Sequence, residues 1–502
     1  MNCKTSPLAV AVVLALSFSA SPAVAQSQAP TQKTLDTLIV TGTRVADRTV
    51  AESASPIDII SPQALESTGT TELATALSRA IPSLNFPRPA ISDGSDAVRP
   101  AQLRGLSPDQ VLVLVNGKRR HTSALVNTDS KIGKGTTPVD FNSIPINAIK
   151  RIEVLRDGAG AQYGSDAIAG VINVILDDNP ERGELEASFG AYNTDVEPIN
   201  RRVTDGQTSY ASAKVGTLLG DDGGFFKVGL ELKNREATNR AGFDQIPPFE
   251  EQTPANLALA GQRNYVLGDG ATKGLNAWLN TKIPFSATGE FYAFGTYNQR
   301  DTEGANYFRY PDSSANWREI YPNGYRPISE GENRDLQIVA GARGQWGDWD
   351  YDASLDYGRN DFTYRLRNSL NASLGPGSTT RFKTGDFAFA QTVGNFDLTR
   401  VFDAADATHT FGTGAEFRRE QYRTHAGDPA SYAAGPFTDR PTGSQAGGGL
   451  TPQDEADLSR NVASVYANVS SQFGDKFSTD LAGRYEHYQD FGSQWTGKLA
   501  AR

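Results

Sequence analysis

The run Arg156-Asp157-Gly158-Ala159-Gly160-Ala161-Gln162-Tyr163-Gly164 follows an apolar, strand-like stretch, and Asp177 stands about 20 residues further on. Glycines after a strand can let the backbone close on a pyrophosphate, with an acidic residue for the ribose. Three features oppose that chemistry here. The spacing from Gly160 to Gly164 is one residue too long for the dinucleotide turn. Gly164 and Gly170 interrupt the helix that should follow. The residues after Ala169 are apolar and β-branched, so a strand begins too soon. Histidines 121, 409, 425 and 487 lack metal-ligand spacing, and no H-E-x-x-H is present. Lys118 follows Gly117 without the rest of a P-loop, and there is no G-x-S-x-G elbow. His121, beside Arg119 and Arg120, reads as a surface residue, and Asp177-Asp178 and Asp221-Asp222 read as turns. The residues therefore predict no catalytic site, no metal site and no cofactor, and the chain is not expected to be an enzyme.

The elements around that run form a mixed α/β unit over residues 51–178. Pro56 to Ile60 reads as a short strand, and Ser61 as an N-cap with Pro62 at the first helical position. Leu73, Ala76, Leu77 and Ala80 share one helical face, which Pro82 ends. Val111 to Val115 is a buried strand before the hairpin turn Asn116-Gly117. Pro145 to Ile149 is a helical turn leading into a strand over Arg151 to Leu155, and Val171 to Leu176 is a further strand. Two polar, glycine-containing loops, 92–95 and 127–137, read as solvated connectors on their composition.

The start of the chain reads as a secretory signal over residues 1–25. Lys4 gives a positive start, Leu8 to Phe18 a short apolar core, and Ala23-Val24-Ala25 a cleavage site after Ala25. The core is shorter than the about 20 residues a spanning helix needs. Cys3, the sole cysteine, leaves with the signal, so no disulfide is expected in the mature chain. Residues 26–50 read as an exposed leader. It carries Asp36-Thr37-Leu38-Ile39-Val40-Thr41-Gly42, an extended, β-branched heptad suited to pairing with a partner's sheet edge. The net charge of −10 argues against nucleic acid as a partner.

Residues 183–502 change character. Phe226, Val228, Leu230 and Leu232 alternate with Lys227, Glu231 and Lys233. Leu336, Ile338, Ala340 and Ala342 oppose Gln337 and Arg343, while Phe477, Thr479, Leu481 and Tyr485 oppose Asp480, Arg484 and Glu486. This period of two predicts strands with a lipid face and a lumen face. Long gaps, near 193–206, 237–274, 301–334, 368–386 and 426–458, alternate with turn-like short ones. That pattern fits an outer-membrane barrel better than a soluble β-sandwich. About eleven strands are expected, with a twelfth beginning near Thr496.

Three stretches together resemble the TonB-dependent outer-membrane receptors. Asp36 to Gly42 resembles their TonB box. Gln102-Leu103-Arg104-Gly105, and the run from Arg156-Asp157-Gly158 through Tyr163-Gly164 to Gly170-Val171-Ile172-Asn173, resemble their plug signature. The resemblance implies an α+β plug domain followed by an antiparallel transmembrane β-barrel, here about half of a 22-stranded one. It also leads us to expect a truncated product or a fragment of a longer gene. It implies a monomer in the outer-membrane lipid of a bacterium that imports a scarce small-molecule or metal-chelate substrate. An iron–siderophore complex is the default, and an oligosaccharide or cobalamin the alternative. Substrate would bind at the outer loops and the plug apex, where the resemblance would place loops 92–95 and 127–137 as the alternative to plain connectors. The TonB–ExbB–ExbD complex would engage the box and gate the plug. Arginine–carboxylate latches are implied between plug and wall, with Arg104 and Arg156 on the plug. By strand parity Glu416, Glu420 and Glu486 are candidate wall partners, against the alternative of solvated surface charge. A plain porin, a binding-only receptor and a non-functional fragment remain the competing readings.

Overall fold

Ser61 Oγ accepts the Ala64 N–H at 3.2 Å and Pro62 takes the first helical position, which starts helix α1 (Pro62–Glu66). Helix α2 (Leu73–Ala80) buries Leu73, Ala74, Ala76 and Leu77 on one face. This computed structural model describes residues 38–502, apart from 43–44, 46–47, 92–94, 128–131, 181–182, 249 and 475–476. The expected signal segment, Asp36 and Thr37 lie outside the described residues.

Strands β1 (Ile57–Ile60), β2 (Leu84–Asn85), β3 (Gln102–Leu103), β4 (Val111–Val115), β5 (Lys118–Arg119), β6 (Ile149–Leu155) and β7 (Gly170–Leu176) belong to the first unit. Five of them form one sheet in the order β1-β6-β7-β4-β5, and β2 pairs with β3. Only β4 and β7 run parallel within that sheet. A short helix, α3 (Gly160–Tyr163), joins β6 to β7. The sheet is buried on both faces, which explains the unbroken apolar run of β4. Val111, Val113 and Val115 pack with α2, Ile152 and Val174. Leu112 and Leu114 pack on the other face with Ile39, Ile57, Leu155 and Val171. Gly170 sits at φ +151°, and a Cβ there would lie 2.2 Å from the Leu155 carbonyl oxygen. Glycine is what allows β7 to begin that close to β6.

The second unit is a 12-stranded antiparallel sheet whose strands neighbour one another in chain order. They are β8 (Glu184–Val196), β9 (Arg201–Leu219), β10 (Gly224–Arg235), β11 (Ala271–Pro284), β12 (Glu290–Ala305), β13 (Ile328–Trp346), β14 (Trp349–Arg367), β15 (Arg381–Ala404), β16 (Ala407–Ala426), β17 (Ala456–Phe473), β18 (Phe477–Tyr488) and β19 (Gly492–Ala501). Among the described residues β8 and β19 are its two edges. Exposure is inverted relative to a water-soluble sheet. Ile338 is 51% exposed while its neighbours Gln337 and Val339 are buried. Lys227 is fully buried beside exposed Phe226. An apolar outer face and a polar inner face are what a wall in lipid requires.

The long connections, 236–270, 306–327, 368–380 and 427–455, all lie at one end of the sheet. The turns 220–223, 285–289, 347–348 and 405–406 lie at the other, as does Gly474. One expected long gap, 193–206, is instead a tight hairpin. β8 continues to Val196 and β9 starts at Arg201, across Asn200 at φ +49°. The polar sequence hid these strand ends, because main-chain pairing continues past the apolar band whatever the side chains are.

Candidate functional site

The first unit sits on the polar concave face of the sheet, and charged residues bind the two together. Lys118, Arg119, Arg120 and His121 follow the hairpin turn, and all four are buried. Arg120 donates to Thr296 Oγ1 at 2.7 Å, to Gln337 Oε1 at 2.9 Å, to Ser143 Oγ at 3.1 Å and to the Asp335 carboxylate. His121 Nε2 lies 3.1 Å from the other Asp335 oxygen. Burial and the Arg120 charge hold the imidazole below its usual range despite the Asp335 carboxylate. The ring packs against Gly358 of β14, where a Cβ would lie 2.2 Å from His121 Nδ1. Lys118 Nζ reaches Asp352 at 3.0 Å. The sequence-based surface assignment of His121 is thus corrected: it is buried, and the polar lumen gives it and Arg120 a shared partner in Asp335 on the wall.

Further links ring the seam. Lys227 on β10 meets Asp177 at 2.7 Å, Arg300 on β12 meets Asp140, and Trp278 Nε1 on β11 donates to Asn147 Oδ1 at 2.7 Å. Arg48, just after the leader heptad, reaches Asp480 on β18 at 3.3 Å. Partners therefore lie on strands from β10 to β19, so the sheet curls around the unit.

Glu72, at the entry to α2, gathers Arg88, Arg99 and Arg235, the last two at 3.2 Å. Burial raises its pKa, but the guanidinium charges outweigh burial and hold it well below the usual carboxylate value. The folded chain keeps Glu72 ionised at pH values where the unfolded chain protonates it. Its contribution is present above pH 4.5 and is lost as pH falls below that. Melting curves across this range should show acid destabilisation that Glu72→Gln reduces; equal pH slopes would refute the assignment. A polar cavity of about 280 Å³ opens here between the two units, lined by Thr71, Glu72, Arg79, Lys233 and Arg235 among others.

The expected latch residues distribute differently from the reading by motif and parity. Arg156 pairs with Asp58 at 2.8 Å inside the first unit. Arg104, at φ +58° beside Gly105, is exposed and donates to the Arg156 carbonyl at 3.4 Å. Both arginines serve the first unit, as does Arg119, which pairs with Asp166; the cations that reach wall carboxylates are Arg48, Lys118 and Arg120 instead. Asp157 of the same motif does reach the wall, accepting from Lys498 Nζ at 2.8 Å. Its other oxygen accepts the Gly158 N–H at 2.9 Å, which shapes the turn. Glu486 accepts the Ser165 main-chain N–H at 2.9 Å, so it touches the first unit without an arginine there. Glu416 and Glu420 pair with wall arginines: Glu416 with Arg484 at 3.5 Å, and Glu420 with Arg418 at 3.1 Å and Arg460 at 2.5 Å. Gly164, at φ +127°, passes close to the Arg119 guanidinium.

The leader heptad, described from Leu38 onward, lies on the face of the first sheet away from α2. Ile39 is buried in the smaller apolar cluster. Glu153 and Asn173 are directly opposed on β6 and β7. Glu153 Oε2 accepts from Val40 N at 3.0 Å, Thr41 N at 2.9 Å and Thr41 Oγ1 at 2.6 Å. Asn173 Nδ2 donates to Thr41 Oγ1 at 3.0 Å, and Gly42 N donates to the Tyr163 hydroxyl at 2.9 Å. The sequence carried one signal for this: a charged residue and an amide stand in otherwise apolar strands, Ile152-Glu153-Val154 and Ile172-Asn173-Val174.

At the far end the long connections lock onto one another. Tyr310 donates to Asp244 at 2.6 Å and contacts Tyr265. Burial and the Asp244 hydrogen bond push its phenol pKa up. Trp317 packs edge-on against Phe437, with the Arg440 guanidinium 4.5 Å above its ring. Among the described residues no cluster of three or more metal-ligating side chains occurs.

Comparison with known proteins places these features in context. Residues 49–171 match the family model "TonB-dependent Receptor Plug Domain", and residues 275–502 match "TonB dependent receptor-like, beta-barrel". Together the two matches take in more than half of the chain. The vitamin B12 transporter BtuB of Vibrio vulnificus is 27% identical over 81% of this chain and 64% of its own length. The ferrienterobactin receptor of Escherichia coli K12 is 24% identical over 99% of this chain and 63% of its own. Among solved structures, the siderophore receptor PirA of Acinetobacter baumannii superposes with TM-score 0.60 at 17% identity, covering 90% of this chain and 59% of that one. The ferric enterobactin receptor of Pseudomonas aeruginosa gives TM-score 0.60 at 15% identity, over 88% and 59%. The chain spans less than two thirds of the length of these relatives.

Proposed function

The chain belongs to the TonB-dependent receptor family, and from that premise we propose that it serves the energised import of a scarce nutrient across the bacterial outer membrane. Residues 38–42, with Asp36 and Thr37 before them, act as the TonB box, and 51–178 act as the plug. Substrate is held by the plug apex and the interlocked connections. TonB, driven by its inner-membrane complex with ExbB and ExbD, pulls on the box and shifts the plug.

The observation that supports this reading most is the seam. The plug is held on the wall by separate ion pairs such as Arg120–Asp335 and Lys118–Asp352, beside apolar contacts that Trp278, Phe294, Val339 and Phe362 of the wall make with it. Paired charges in a water-poor seam are directional and can part and re-form, which suits a stopper that must move. An iron–siderophore complex is the first substrate class, in keeping with the likeness to the siderophore receptors above. Cobalamin is the second, favoured by the likeness to the vitamin B12 transporter.

The test is uptake of labelled ferric siderophores and cobalamin in a host lacking its own receptors. The full chain is expected to restore uptake of one class only when TonB is present, and deletion of residues 36–42 should abolish it while surface binding persists. Uptake that is indifferent to TonB would mean a diffusion pore. Binding without uptake in every arm would mean a receptor that does not transport.

A further inference from the structure

We propose that the outer face of the wall carries a lipid site, with an acyl chain in a furrow over Gly394 and an anionic phosphate headgroup on Arg419. It lies on the face of the sheet away from the plug. A cavity of about 800 Å³ opens there across β13 to β18, lined by Leu355, Phe396, Phe417, Ala463 and Val465 among others. Leu355, Phe396, Phe417 and Val465 are exposed, while Asp356, Arg418 and Ser464 beside them in sequence are buried, so the cavity faces lipid and not the lumen. Large and small residues alternate over two adjacent rows. Leu355, Gly394, Phe417 and Ala463 stand side by side on β14 to β17. The row nearer the short turns reads Ala353, Phe396, Ala415 and Val465. Gly394 thus lies between two large side chains whose main chains are about 10 Å apart. A Cβ on Gly394 would meet nothing within 4 Å. The volume is that of a site for a small ligand.

A wall in lipid needs only apolar side chains, so a concavity is an addition to that requirement. In hydrocarbon little draws an acyl chain onto protein except closer packing, which a furrow supplies and a flat surface does not. Headgroup chemistry then sets the choice of lipid. One row nearer the long connections stand Tyr357, Thr392 and Arg419, again side by side. Tyrosine at the end of an apolar band marks the level of the headgroups. Arg419 is exposed and, among the described residues, has no ion-pair partner. Arg359, in the row beyond, is already neutralised by Asp361 at 2.6 and 2.7 Å. A guanidinium left unpaired at that depth offers a planar fork to a phosphate. Long connections mark the outer side of such a wall. The occupant is therefore a phosphorylated, acylated lipid of the outer leaflet.

The experiment uses the full chain in micelles of an uncharged detergent, with bound lipid counted by native mass spectrometry during titration. The probes are phosphorylated lipid A, the same lipid stripped of its phosphates, and phosphatidylcholine. The parent chain should hold one phosphorylated lipid A per molecule and bind the other two about tenfold more weakly or worse. Gly394→Leu fills the furrow and should weaken the phosphorylated lipid by about tenfold. Arg419→Gln should leave the phosphorylated and stripped forms bound alike, because it removes the charge and keeps the furrow. Both positions face away from the plug, so the Arg120–Asp335 pair stays in place. If Gly394→Leu fails to fold, Arg419→Gln decides alone. Equal retention of all three probes by the parent, or variants that stay within about twofold of it, would overturn the proposal and leave an unspecific lipid annulus.

Discussion

Replacing Arg120 by alanine is expected to destabilise the plug–wall assembly by about 3–5 kcal/mol. The guanidinium is fully buried and contacts three wall side chains, Thr296, Gln337 and Asp335. Its removal leaves Asp335 as a buried anion facing only His121 and the amide of Asn360, which donates at 2.9 Å. A neutral imidazole does not replace a cation, so the penalty comes mainly from the abandoned carboxylate. The double change Arg120→Met with Asp335→Leu should therefore cost clearly less than Arg120→Ala alone. Urea unfolding of the purified chain, with limited proteolysis to follow plug release, measures both. A loss below about 1 kcal/mol for Arg120→Ala, or additivity of the two single changes, would remove this pair from the seam.

Gly170→Ala should prevent the plug from folding while leaving the wall intact. The new Cβ would fall 2.2 Å from Leu155 O and 2.6 Å from Leu103 Cδ2, at a φ of +151°. A leucine side chain can turn aside, but the carbonyl belongs to β6, and moving it breaks the β6–β7 pairing that places Glu153 opposite Asn173. The expected cost exceeds about 4 kcal/mol. Gly105→Ala is the comparison. Its φ is also positive, at +75°, but nothing lies within 4 Å of the added atom. It should cost only the backbone term of about 1–2 kcal/mol. Equal effects for the two would show that close approach at Gly170 is not what matters.

Much of the architecture was legible because it is written in local periodicity. Alternation along β10, β13 and β18 marked the wall, and Ser61-Pro62 marked the start of α1. The short turns at 220–223 and 347–348 were punctuated by glycine and aspartate. Strand ends were harder, as the β8–β9 hairpin shows, because polar residues continue a ladder silently. The latches were least legible. Arg48 and Asp480 are 432 positions apart, and nothing local to either announces the other. Motif position pointed to Arg104 and Arg156, which the plug keeps for its own sheet and turn. The four basic residues after Asn116-Gly117 were the better clue. In a unit that must fill a polar lumen, a cationic cluster beside a buried strand has to find acids on the surrounding wall.

The seam also has a consequence for how the protein is made. Asp157 waits for Lys498, and Arg120 for Asp335, across hundreds of residues not yet synthesised when the plug leaves the ribosome. Closing such long loops is entropically slow, and buried charges cannot settle before their counter-charges arrive. The first unit therefore completes its last ion pairs only after the strands that carry their partners have been made. The order of synthesis thus sets the order in which the seam can close.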